Sequence, residues 1–384
     1  MKAAVTTLLF CVAALLALGL VMLYSSSMVM EDKRTHVEVG AQMLQKQVVW
    51  CALGLVCCAI MAVLDYELLK KLAWPIFIVT LILATLVFVP HLGVKLNGAR
   101  RWISRFGFTF QPSEIVKIGL IIIVAWYIDR SQRKMNTFTR GIVYPGAIIG
   151  VTLALIFIEP DRGTTILLAG VTGTMLFLGG IRWVHLVPVG LAAIGALAWS
   201  LTHDKMRSGR ISAWLNPENH LSGAALQAEQ AKIAIGSGGL TGLGLGDGRQ
   251  KLGFLPEIHS DFIFANIGEE LGLIATAFVV LAFLFIAISG IYIALNARDQ
   301  FGSQLAIGVT ALISFQALIN IGVVTSLLPN KGLALPFISS GGSSLLAMLI
   351  GVGILISVAR RAQPGKISAS DFAGQENPFA TKAK

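Results

Sequence analysis

Apolar runs of bilayer-spanning length recur along this chain and constrain it more than any other feature. Reading for stretches of about 17–25 residues gives about ten, near 3–25, 47–64, 74–90, 113–128, 141–158, 164–180, 183–201, 264–294, 305–328 and 341–358. In hydrocarbon every backbone N–H and C=O must find its partner within the protein, so runs of this length fold as helices. The expected fold is therefore all-α: a polytopic integral membrane protein of about ten transmembrane helices with one long extracytoplasmic loop at about 202–260. Composition agrees. Of 384 residues 55% are hydrophobic and only 13% charged, against about 45–50% and about 25% in soluble chains. Mean hydropathy is +0.77, which excludes a water-facing globule. Residues 1–361 read as one transmembrane domain, and the polar end 362–384 as a disordered cytoplasmic tail. The first apolar run is longer than the about 7–15 residues of a signal-peptide core, so it reads as an uncleaved anchor.

Cys11, Cys51, Cys57 and Cys58 all lie inside apolar runs and read as small hydrophobes. The six histidines never take a His-x-x-x-His or His-Cys spacing, which leaves no transition-metal pattern but permits a hard cation held by carboxylate and phosphate. An even number of spans puts both termini on one side. Arg360, Arg361 and Lys366 follow the last span, so that side is expected to be the cytoplasm. Fourteen Lys and Arg then fall inside and fifteen outside, ten of the fifteen in segments 91–112 and 202–260. The net charge of +10 suits anionic lipid headgroups or a phosphorylated lipid as well as nucleic acid, and the concentration of cations in these two segments points to a need for positive charge outside the membrane.

The segment 202–260 is the only long hydrophilic stretch between spans. Residues 224–235 read as a short amphipathic helix on the membrane surface. Seven glycines then occur in the thirteen residues from Gly236 to Gly248. They match no phosphate-binding fingerprint, and read better as a tight multi-turn loop that lets backbone approach a neighbour.

Three places carry titratable groups at span ends. Glu114 and Lys117 are an i, i+3 pair just inside the fourth span, where ionisable groups face a cavity or one another: a functional pair or a structural lock. Glu257, His259, Ser260 and Asp261 gather where the long loop enters the eighth span. That pattern suits acid–base chemistry, although an Asp directly before an apolar helix is equally a cap. Glu269 and Glu270, two turns further in, read as helix-locking residues or ligands. Between the last two spans Ser339, Gly341, Gly342 and Ser343 interrupt the apolar pattern in a loop expected to close over Asp261.

Taken in order, Asn97-Gly-Ala-Arg-Arg-Trp102, Gln111-Pro-Ser-Glu-x-x-Lys117, Pro160-Asp-x-Gly-Thr164, Leu255-Pro-Glu-x-His-x-Asp-Phe-Ile-Phe264, Gly268-Glu-Glu-Leu-Gly272 and Leu335-Pro-Phe-x-Ser-x-Gly-Gly-Ser-Ser344 resemble the SEDS family (shape, elongation, division, sporulation). The likeness covers nearly the whole chain. Gly246-x-x-Arg-Gln-Lys251 and Leu328-Pro-Asn-Lys-Gly332 look more like the cell-division branch than the rod-elongation branch. The chain departs from the family pattern with Ser340 in place of the usual Tyr, Ser260 in place of Thr and Glu159 in place of Gln.

The resemblance implies a bacterial cytoplasmic-membrane peptidoglycan glycosyltransferase that polymerises lipid II outside and releases undecaprenyl pyrophosphate in septal wall synthesis. It implies Asp261 as the catalytic residue, with Glu114 and Lys117 in its cavity. The expected partners are a class B penicillin-binding transpeptidase and other membrane proteins of the division machinery, with no nucleic acid. A departing pyrophosphate calls for cations, and Arg100, Arg101, Arg207, Arg210, Lys251 and Lys331 are the candidates. A divalent cation, magnesium or manganese, is the one cofactor considered, with no organic cofactor. The competing class is a transporter moving the same lipid-linked precursor, since an intramembrane Glu–Lys pair also fits transport.

Overall fold

The computed structural model describes residues 1–27, 39–89, 93–96, 99–105, 108–202, 214, 224–255 and 258–362. Ten helices occupy the ten apolar runs: α1 (Lys2–Ser27), α2 (Val39–Val63), α4 (Ala73–Thr85), α5 (Pro112–Ser131), α6 (Tyr144–Ile158), α7 (Arg162–Leu178), α8 (Trp183–Thr202), α10 (Ile263–Leu295), α11 (Gln300–Val324) and α12 (Gly342–Arg361). A one-turn helix α3 (Tyr66–Lys71) precedes α4, and α9 (Ala224–Gly238) realises the amphipathic helix expected at 224–235. Among the described residues six helices are long and apolar enough to cross a bilayer on their own, and three more are shorter apolar segments. The tenth is α5, which carries Glu114, Lys117, Asp129 and Arg130. Its charges are tolerated because it is the innermost helix, buried on nearly every face from Pro112 to Ala125 and surrounded by α4, α6, α7, α11 and α12.

Polar interactions collect at the two ends of the bundle, as an apolar slab between them requires. At one end α3 is tied by Lys70 to Asp129 (2.7 Å), by Asp65 to Arg361 (2.7 Å) and by the Tyr66 hydroxyl donating to Asp299 (3.1 Å). At the other end lie the starts of α5, α7, α10 and α12 and the close of α11. A small antiparallel sheet also sits there, β1 (Gly93–Leu96), β2 (Ala99–Arg105) and β3 (Phe108–Phe110), in that order. No apolar run announces this sheet, whose segment is marked in the sequence only by its cations.

The glycine-rich segment is a backbone-packing device. α10 is broken at Gly272, whose φ is +76°. The freed groups are taken up by the loop: Leu243 N–H donates to Glu269 O and Gly244 N–H to Glu270 O, while Leu273 N–H donates to Gly239 O. A Cβ at Gly242 would fall 2.2 Å from Glu270 O, so only glycine allows that approach. The Glu269 carboxylate accepts from Arg249 N–H (2.7 Å) and Gln250 N–H (3.2 Å). Glu270 accepts from Gly246 N–H (3.0 Å) and from the Ser25 hydroxyl (2.5 Å). Both glutamates are locking residues.

Candidate active site

At the sheet-bearing end the helix starts frame a cavity of about 540 Å³, within the usual range for ligand sites. Arg101 and Trp102 of β2 form one wall, Gln111 and Glu114 the mouth of α5, and Asp161 and Thr164 the turn into α7. Gln227 of α9 faces them. The remaining wall is the turn from His259 to Phe262 together with the loop from Asn330 to Ser344.

Asp261 is partly exposed in this wall. The cap position of α10 is taken by Phe262, which makes no side-chain cap bond, so Asp261 stands one residue before the position a capping residue needs. Its surroundings are fixed through backbone. Asn320 Nδ2 donates to Asp261 O (2.8 Å) and to Leu333 O (2.7 Å), clamping the aspartate turn to the α11–α12 loop. The Ser339 hydroxyl donates to Ser260 O (2.6 Å) and accepts from Leu335 N–H (2.8 Å), and Ser340 N–H donates to His259 O (3.0 Å). Gly332 lies against the carboxylate: a Cβ there would sit 2.7 Å from Asp261 Oδ2.

Behind the cavity Lys117, fully buried, donates to Glu114 (2.8 Å) and to Gln316 Oε1 (3.0 Å). Gln316 in turn donates to Ala334 O (2.8 Å) in the same loop. The pair therefore locks α5 to α11 through Gln316, and the buried Glu114 stands in the cavity wall. Asp161 caps α7 by accepting from Thr164 N–H (3.1 Å), and also accepts from Gln111 Nε2 (3.2 Å). Arg101 reaches Asp161 (3.8 Å) and donates to the carbonyls of Glu159 and Pro160.

Of the residues expected at the site, Asp261, His259, Ser260, Glu114, Arg101, Gly341 and Ser343 line the cavity, and Lys117 lies directly behind it. Lys251 is a correction. Its ammonium is buried against Glu270 (2.9 Å) and Ser25 Oγ (3.2 Å), where it neutralises a carboxylate that would otherwise sit uncompensated inside the bundle. Ser339 and Gly342 support the loop from behind, Gly342 so close to Trp50 that a Cβ would meet its ring at 2.2 Å. Lys331 flanks the cavity without lining it. Glu257, Arg207, Arg210 and the Arg100 side chain lie outside the described residues. Sequence reasoning missed Trp102, Gln111, Asp161, Asn320 and Gln316 as site residues, although the first three stand within the quoted motifs.

No group of three or more His, Cys, Asp or Glu is disposed to hold a metal among the described residues. Asp261, with Glu114 and Asp161 in the same cavity wall, is the kind of carboxylate oxygen donor that a hard cation such as magnesium takes.

Apolar helices of bilayer length around a polar cavity at one end of the bundle define a multi-pass membrane protein. The family model covering FtsW, RodA and SpoVE, described as cell cycle protein, matches residues 6–364, and the chain belongs to that family. It is 41% identical to the probable peptidoglycan glycosyltransferase FtsW of Trichlorobacter lovleyi, over 95% of both chains. It is 37% identical to stage V sporulation protein E of Bacillus subtilis, over 90% of this chain and 94% of that one. Among solved structures it is similar to Thermus thermophilus RodA (28% identity, TM-score 0.68, 93% and 97% of the chains). It is also similar to a chain from a peptidoglycan synthase complex that coordinates polymerization and crosslinking (26%, TM-score 0.72, 92% and 96%).

Proposed function

We propose that the chain is a peptidoglycan glycosyltransferase that polymerises lipid II at this cavity, with Asp261 as the catalytic base. The observation that carries the reading is that Asp261 lines the polar cavity where span α10 begins. The acceptor hydroxyl attacks the anomeric carbon of the donor, the bond to pyrophosphate breaks, and Asp261 takes the hydroxyl proton. Undecaprenyl pyrophosphate leaves with its negative charge. An ordinary Asp has a pKa of about 3.9 and is a weak base toward an alcohol, so the proton moves late, as the new bond makes the hydroxyl acidic. The leaving group is already an activated phosphate, which removes the need for the second carboxyl of a glycosidase. Glu114 and Lys117 hold the loop that carries Gly332 against the base. When bound, a divalent cation would neutralise the pyrophosphate, held by Asp261 and the substrate's own oxygens.

In this reading the cavity faces outward, both termini are cytoplasmic, and the protein works at the division septum. Its membrane partner is a class B penicillin-binding transpeptidase, consistent with the family relative drawn from a complex that couples polymerization to crosslinking. Purified protein given fluorescent lipid II is expected to produce glycan ladders on a gel. Movement of lipid II across liposomes without ladders would establish the transporter class instead.

A further inference from the structure

We infer that Gln227 of α9 and Asn330 of the α11–α12 loop form a subsite for the acetamido group of an amino sugar, setting the acceptor sugar over Asp261. The inference deepens the glycosyltransferase reading and rests on it for the identity of the sugar.

Both side chains line the cavity, and Asn330 Nδ2 donates to Gln227 Oε1 at 2.8 Å. A primary amide carries two N–H donors and a carbonyl with two lone pairs. The single bond between them therefore leaves the Gln227 Nε2 donors and the Asn330 Oδ1 acceptor without a partner among the described residues. Turning both amides over would reverse the bond and still present one free NH2 and one free carbonyl. A secondary amide is the complement of that pair: its carbonyl accepts from the NH2 and its N–H donates to the carbonyl. A latch between α9 and the loop would need only one bond or an apolar contact, and gains nothing from polar groups left open to the cavity.

Both amides are held in place by the fold. Gln227, Ala231, Ala234 and Gly238 fall on one face of α9. The two alanines are fully buried, and Gly238 lies so close to Gly268 O of α10 that no Cβ would fit. Asn330 is bracketed by Leu328 N–H, which donates to Gly322 O (2.9 Å), and by Leu333 O, which accepts from Asn320 (2.7 Å). Two residues on, Gly332 lies against the Asp261 carboxylate. Two residues span at most about 7 Å, so the amide pair and the carboxylate stand within one sugar of each other. With its acetamido group on the pair, the ring turns its attacking hydroxyl towards Asp261. Amides of the stem peptide share this chemistry, and the nearness of Asp261 favours the sugar.

The test is selectivity in binding. Full-length Asp261→Asn protein, which blocks chain growth, would be placed in phosphatidylcholine nanodiscs. It would be titrated with lipid II and with an analogue bearing a hydroxyl in place of the C2 acetamido group of its non-reducing sugar. The acetamido lipid is expected to bind at least about tenfold tighter, as two hydrogen bonds to the amide should provide. Adding Gln227→Met or Asn330→Leu should each cut that ratio to about threefold or less, by removing one of the two bonds. Lys232→Met, at an exposed α9 lysine paired with Glu229 at 2.6 Å, should leave the ratio unchanged. A ratio near one before any further substitution would overturn the inference, leaving a peptide amide as the ligand. Equal weakening of both lipids with the ratio kept would overturn it too, as the mark of a structural latch. The expected ratios in a protein that makes no glycan with Asp261 restored would sustain the subsite and refute the glycosyltransferase reading. Glycan ladders without an acetamido preference would do the reverse.

Discussion

Removing one partner of the Glu114–Lys117 pair should be far more damaging than removing both. The ammonium is fully buried and the Glu114 side chain is 7% exposed, with 2.8 Å between them. At an effective dielectric of about 20 their attraction is roughly 6 kcal/mol, largely offset by the cost of taking both charges out of water. Lys117→Met leaves the attraction at zero and the carboxylate still desolvated, which typically costs about 3–5 kcal/mol. That is about two to three and a half decades in the unfolding equilibrium. Glu114→Gln strands the ammonium, eased by its bond to Gln316 at 3.0 Å, and should cost somewhat less. The double variant has no buried charge and should recover most of the loss, giving a coupling energy of about 2 kcal/mol or more. Unfolding of the detergent-solubilised protein, followed by tryptophan fluorescence, measures all four corners of the cycle. Single losses below about 1 kcal/mol that simply add would mean that water reaching Glu114 through the cavity screens the pair, and the lock would not exist.

Asp261→Asn should keep the fold and lose about 10²–10⁴-fold in polymerisation rate, read from initial velocities on lipid II; near wild-type turnover would remove Asp261 from the chemistry. Gly332→Ala places a methyl 2.7 Å from the Asp261 carboxylate, so turnover should fall at least about tenfold with unchanged melting, since the carboxylate and not the core must move. Gly272→Ala should destabilise by several kcal/mol in the same unfolding assay. Its φ of +76° disfavours a side chain, and a Cβ would meet Leu240 O at 2.5 Å. Glu159, just past the α6 span, is pushed up to about 8 by burial and by the neighbouring Asp161, against a lowering by Arg101. The folded state therefore binds the proton more tightly than the unfolded chain, and stability falls as pH rises from the ordinary Glu range to about 8. Glu159→Gln should lack that slope in melting curves from pH 5 to 9, and equal slopes would show that Glu159 is ionised throughout.

The helices were legible because each is an apolar run of bilayer length, a signal that depends on composition and little on context. Asp261, His259, Glu114 and Lys117 were legible for the complementary reason: charge at the end of an apolar run has few innocent explanations. The β1–β3 sheet was not, since its strands are three to seven residues long and carry no apolar run. The Asn97-Gly98 pair between β1 and β2 was the available clue, a dipeptide favoured in two-residue hairpins. Lys251 misled because sequence shows a cation in an outer loop but not the Glu270 that consumes it, nineteen residues on and reached only when the glycine loop folds onto α10.

A buried ion pair is a poor way to stabilise a bundle, because well-packed apolar side chains of similar volume often do as well or better. Its retention in α5 therefore calls for a role other than stability. Lys117 fixes the Gln316 amide by occupying its oxygen, which leaves the nitrogen to hold Ala334 O. Asn320, one turn along α11, holds Leu333 O and Asp261 O together. Two adjacent carbonyls of the loop are thus set from α11, and Gly332, next in the chain, is brought against the Asp261 carboxylate. An apolar replacement at 114 and 117 would keep the helices together while leaving the Gln316 amide free to rotate. The double variant of the cycle above should then regain stability without regaining turnover, and recovery of both would show that the pair contributes only packing.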